Sequence, residues 1–140
     1  MAFLYISAKN KNGILKKIDD ERYLDLDDCT RLELYSFMVA LGFASGYPSD
    51  FDGAKDSLVR EEYTKGNNVC HLYSAIYFHN NKDTVEEVTD TDKVFALADK
   101  YANTGFSVIE DYMKENSSNS LAMKLLADMD KMYEEYKDSL

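Results

Sequence analysis

The feature that most constrains this chain is a nearly unbroken apolar run ending in glycine. Leu32, Leu34, Tyr35, Phe37, Met38, Val39 and Leu41 follow one another with only Ser36 as a polar break beyond Glu33. A surface helix shows polar residues recurring on one face, and none recur here, so the run reads as a helix buried nearly all round. Its length and its Leu, Met, Ala and Glu content favour helix over strand. We place this helix at 28–45, with Asp27 or Asp28 as N-cap and Glu33 in the early turns where the helix dipole favours negative charge. Gly42 is either the left-handed residue closing the helix or a point of close packing inside a longer one. Gly46 and Pro48 end it in either case.

A second apolar helix is expected at 68–79, capped by Asn67 or Asn68, with Val69, Leu72, Ile76 and Asn80 on one face and Cys70, Tyr73 and Tyr77 beside them. Its composition pairs it with the central helix, and the two are expected to form the core against a hairpin of helices at 92–115 and 119–138. The spacing then predicts an amphipathic helix over 92–115, capped by Thr91 and Asp92. Its stripe contains Val94, Phe95, Leu97, Ala98, Tyr101, Ala102, Gly105, Phe106, Ile109, Tyr112 and Met113. Gly105 within it marks either close approach of another backbone or a kink. A last helix at 119–138, capped by Ser118 or Ser120, carries Leu121, Leu125, Met129, Met132, Tyr133 and Tyr136, and the short polar connector makes these two an antiparallel hairpin.

Between these elements the expectations are smaller. Residues 2–8 form either a short strand or an extended arm, with no partner strand apparent. Lys9–Gly13 reads as a turn, 14–18 as a short helix followed by a turn through Asp19–Asp20, 48–53 as a loop, 54–65 as a short helix and 84–88 as one helical turn. The fold class expected is all-α: a single compact multi-helix domain over 1–140 with a C-terminal antiparallel helical hairpin and at most one short N-terminal strand.

The chain carries 16 basic and 26 acidic residues, a net charge of −10. Such a surface repels nucleic-acid phosphates and anionic membranes. The charge is uneven: residues 1–18 hold Lys9, Lys11, Lys16 and Lys17 and no acid, leaving 12 bases against 26 acids in the remainder. These four lysines either lie against the acidic body of the protein or form a local anion contact. No apolar run is long enough to span a membrane and the first residues lack signal-peptide character, so a cytoplasmic protein is expected. Cys29 and Cys70 are then free thiols, with a disulfide between them left open.

No motif carries catalytic chemistry. Asp50, Asp52 and Gly53 put glycine at the fourth position of a candidate calcium loop, where the sixth is required. Cys70, His71 and His79 lack the i, i+4 spacing for a shared metal on one helix. No glycine precedes a lysine at phosphate-loop spacing. We therefore expect no catalytic, cofactor-binding or metal-binding residue, and read the chain as non-enzymatic. Eleven tyrosines are the oddest compositional feature. Most suit helix faces packed in the core. On the last helix, Met123, Met129, Met132, Tyr133 and Tyr136 are the candidate partner surface.

Two stretches carry a resemblance. LELYSFMVALGFASGYPSDF runs an apolar helix into a glycine turn, and KVFALADKYANTGFSVIEDYM interrupts an amphipathic helix with Tyr101-Ala102-Asn103-Thr104-Gly105. In this order they resemble the small accessory proteins associated with Dnd clusters, which handle phosphorothioate-modified DNA in bacterial defence. The similar pattern has an "ALGY" helix followed by a "YANAG" helix, and Thr104 stands here where that pattern has Ala. The resemblance covers about residues 30–115 and implies a non-enzymatic component of a DNA-modification or restriction system, partnered by other proteins of that complex. It assigns no functional residue. An acidic DNA-mimic inhibitor and a small carboxylate-based enzyme are the alternatives from other classes.

Overall fold

In a computed structural model the structure describes residues 3–21, 30–51, 53–64, 69–83, 85–115 and 118–138. The described chain is mostly helical, with one two-stranded antiparallel sheet. Strand β1 (Phe3–Ser7) leads into a continuous helical stretch. This begins as α1 (Ala8–Asn10), widens to a π-helical turn over Lys11–Leu15, and continues as α2 (Lys16–Glu21). Helix α3 (Arg31–Ser45), strand β2 (Lys55–Arg60), a 3-10 turn (Glu61–Thr64) and helix α4 (Val69–Asn80) follow. A second 3-10 turn (Val85–Thr89) then precedes the long helices α5 (Thr91–Glu115) and α6 (Ser118–Asp138). No helix among the described residues is long and apolar enough to cross a membrane.

The N-terminal strand does have a partner. Residues 55–60, expected as part of a short helix, form β2 and pair antiparallel with β1 from Phe3↔Arg60 to Ser7↔Lys55, with an irregularity between Leu4 and Tyr5. The physical reason is that β1 buries Leu4 and Ile6 against the protein, and its backbone groups then need bonds. Strand β2 supplies them although it buries only Val59 fully.

The expected turns at Lys9–Gly13 and Asp19–Asp20 are both helical instead. Ser7 Oγ caps the start by accepting from Asn10 N at 3.1 Å. Burial of Ile14, Leu15 and Ile18 on one side then outweighs the turn-forming character of the K-N-K-N-G sequence.

Helix α3 begins at Arg31, three residues later than expected. Thr30 Oγ1 accepts from Glu33 N at 3.1 Å and is the N-cap; Asp27 and Asp28 lie outside the described residues. Gly46, in the left-handed conformation at φ 97°, closes the helix. Gly42 is therefore interior. Similarly, Asp90 Oδ1, and not Thr91 or Asp92, caps α5, accepting from Asp92 N and Lys93 N at 3.1 and 3.4 Å. The proposed caps Asn67 and Asn68 lie outside the described residues.

The main packing of α3 is against α5, the first helix of the expected hairpin, while the direct pairing expected with the 68–79 helix is not among the main packings. Gly42 and Gly105 are the cause. A Cβ added to Gly42 would overlap the carbonyl oxygen of Tyr101 and stand 2.7 Å from its carbon. One added to Gly105 would overlap the carbonyl oxygen of Met38 and stand 3.0 Å from its Cα. The two backbones thus touch at both glycines, and Gly105 marks close approach with α5 unbroken across it. Helix α4 packs alongside on Tyr73, Ile76 and Tyr77; of the expected face Ile76 is buried, whereas Leu72 and Asn80 are exposed. Tyr73 bonds Ser36 Oγ at 2.7 Å and meets the Phe95 ring edge-on.

Candidate functional site

The Tyr101–Gly105 motif holds the chain together on three sides. Tyr101 OH accepts from Asn80 Nδ2 at 2.7 Å, tying α5 to α4. Asn103 accepts from Asn10 Nδ2 at 3.0 Å and donates to Ser49 Oγ at 3.0 Å and Asp50 O at 3.1 Å. Thr104, fully buried, donates to Tyr47 O at 2.9 Å and lies 2.9 Å from Ser49 Oγ. Ser49 N in turn donates to Lys100 O at 3.1 Å. Thr104 thus uses its hydroxyl to clamp the loop that leaves α3, which an alanine cannot do. The two stretches that carry the family resemblance meet at this crossing, and the contacts there are structural.

Asp99, one turn before Asn103, is the carboxylate that sequence reasoning missed. It is only 5% exposed. Its Oδ1 accepts from Tyr5 N at 2.8 Å and from the hydroxyl of Tyr35, which also lies 3.0 Å from Tyr5 O. One carboxylate therefore joins β1, α3 and α5. Burial pushes its pKa up to about 7, although the bonds from Tyr35 and Tyr5 oppose the rise. Burial first, and then the charge of Asp99, holds the Tyr35 hydroxyl well above its ordinary value. Beside this node Asp99 lines a cavity of about 250 Å³ with Asp92, Phe95, Tyr5 and Lys55. Lys55 Nζ lies 4.2 Å from the Tyr5 ring centroid. The signal in the sequence was an acid within the apolar stripe, between Ala98 and Ala102.

Helix α6 presents the candidate partner surface. Leu126, Met129, Met132 and Tyr133 are 54, 55, 51 and 62% exposed. Leu125 is buried, and Tyr112 OH bonds the carboxylate of Asp128, so α6 meets α5 at these two positions. That bond holds Asp128 below the usual carboxylate range, aided by Lys124. The side chains of Met123 and Tyr136 lie outside the described residues.

The four N-terminal lysines separate. Lys11 pairs with Asp56 at 3.5 Å, so it lies against the acidic body. Lys16 is exposed. Lys9 and Lys17 line one cavity, joined by Lys114 of α5. Asp50 pairs with Lys100 at 3.2 Å, and Gly53 has φ 89°. Cys70 is a free thiol 3.6 Å from Thr64 O; Cys29 lies outside the described residues. His71 and His79 are exposed, and His79 meets the Phe43 ring edge-on. Among the described residues, no three His, Cys, Asp or Glu side chains are grouped to hold a metal ion.

Comparison with family models, with curated proteins and with solved structures returned no match to this chain.

Proposed function

We propose that this protein is a non-enzymatic, protein-binding component of a bacterial DNA-modification or restriction defence system, acting in the cytoplasm, with α6 as its docking element. In this reading α5 and α6 are an antiparallel hairpin within a single compact domain, supported by the Tyr112–Asp128 bond and the burial of Leu125. The observation that carries the reading is the row of Leu126, Met129, Met132 and Tyr133, each more than half exposed on one helix. Contiguous apolar surface of this kind marks interaction sites, and methionine adapts its shape to a partner at low cost. Tyr and Met are also the residue types enriched at interface cores. The resemblance of residues 30–115 to Dnd-associated accessory proteins supplies the defence context.

The test is affinity purification of tagged protein from its native cell with nuclease present, alongside the Met129→Glu/Tyr133→Glu variant. Recovery of a DNA-processing or restriction protein with the wild type and its loss with the variant supports the reading. Equal recovery with both removes α6 from it.

The raised carboxylate of Asp99 in a cavity shared with Asp92 favours a carboxylate-based enzyme as second reading. Against it, Asp99 Oδ1 is engaged by Tyr5 and Tyr35, which assigns it to holding the fold.

A further inference from the structure

We propose that the cavity beside the π-helical turn binds a single phosphate group, through Lys9, Lys17 and Lys114. The cavity has a volume of about 170 Å³. Pockets that enclose a drug-sized ligand run to roughly 300–1,000 Å³, so this one accommodates one compact anionic group with the rest of its ligand outside. Its charge is opposite to that of the chain. Three lysines and one carboxylate, Glu110, line it, on a protein whose net charge is −10. Glu110 pairs with Lys114 at 3.6 Å. The local balance is two positive charges, which matches a phosphate monoester above its second pKa of about 6 better than a singly charged phosphodiester.

The backbone explains why these groups share a cavity. A π turn is wider than an α turn and is frequently found at functional sites. Here it spans Lys11–Leu15, with Lys9 before it and Lys17 after it. Gly13 lies in the turn, and a Cβ placed on it meets nothing within 4 Å. Gly13 thus lines the cavity with open space beside it. Ile14 and Met113 supply its apolar wall.

Gly13 gives a test that does not depend on removing charge. Its φ is not positive and a Cβ there meets nothing within 4 Å, so Gly13→Met is the variant chosen to occupy the cavity. Full-length protein is titrated with inorganic phosphate, followed by amide chemical shifts, and separately with a short DNA duplex. The wild type should show saturable shifts at residues 9–17 and 110–114, with binding at least tenfold weaker at pH 5 than at pH 8. Gly13→Met and Lys9→Gln/Lys17→Gln should each weaken binding at least tenfold, and Lys16→Gln should not. Saturable binding of free phosphate identifies a monoester site. Binding of duplex alone, lost in the same variants, identifies a nucleic-acid phosphate as the occupant. Equal phosphate binding by wild type and Gly13→Met, or no saturable shift with either probe, overturns the proposal.

Discussion

Gly105→Ala is the sharpest perturbation of the fold. The added methyl would overlap the Met38 carbonyl oxygen, with the carbonyl carbon at 2.7 Å and Cα at 3.0 Å. All three are backbone atoms, so no side chain can rotate to make room. Helices α3 and α5 must move apart, and Met38, Ala102 and Ile109, all buried at this crossing, lose contacts. Overpacking of this kind, with the backbone shifts it forces, costs about 1–3 kcal/mol and occasionally more. Alanine returns about 1 kcal/mol of helix propensity. Because only backbone can yield here, the cost lies at or above the top of that range, so the net loss is about 2 kcal/mol or more, which for a chain of 140 residues lowers Tm by roughly 6–10 °C. Thermal and urea unfolding followed by circular dichroism measure it. Gly13→Ala is the control: it gains the same propensity in open space and should stabilise by up to about 1 kcal/mol. A Gly105→Ala protein as stable as the wild type would refute the backbone contact between α3 and α5.

Other outcomes follow from the same geometry. Asp99 binds its proton more tightly when folded, since burial pushes its pKa up to about 7 from an ordinary 3.8. The stability this confers is full below pH 3.8 and is lost as pH rises through 7, on the order of 4 kcal/mol in all. Between pH 5 and 8, wild-type stability should fall relative to Asp99→Asn, and a pH-independent difference between the two would exclude the assignment. Thr104→Val keeps the volume but leaves Tyr47 O and Ser49 Oγ without its hydroxyl; a loss of about 1–2 kcal/mol is expected in urea unfolding. Met129→Glu/Tyr133→Glu should change stability by less than about 0.5 kcal/mol, because both positions are exposed. A large destabilisation there would mean that this face is packed within the protein.

The sequence made α3 and α5 legible because each carries a long periodic apolar set, and their helical state does not depend on which neighbour they meet. Composition placed α3 and α4 together against the hairpin, but which neighbour lies closest to α3 was not legible: that is decided by two glycines 63 positions apart that admit a backbone only where both face each other. Strand β2 was hidden for a different reason. KDSLVR shows no alternation, since only Val59 is fully buried, and its state is dictated by the bonding needs of β1. The π turn was hidden because K-N-K-N-G has strong local turn character, overridden by Ile14, Leu15 and Ile18. The Met/Tyr face of α6 was visible as composition, while its exposure required the structure. Lys114, which completes the lysine cavity, lies 97 residues beyond Lys17 and had no local signal.

The most direct measurement of α6 as the docking element is hydrogen–deuterium exchange on full-length protein, alone and with the partner recovered by nuclease-treated affinity purification. Slowed exchange confined to α6, over residues 124–135, is the predicted result. Protection centred on β1, the Asp99 cavity or α4, with α6 unchanged, would contradict it.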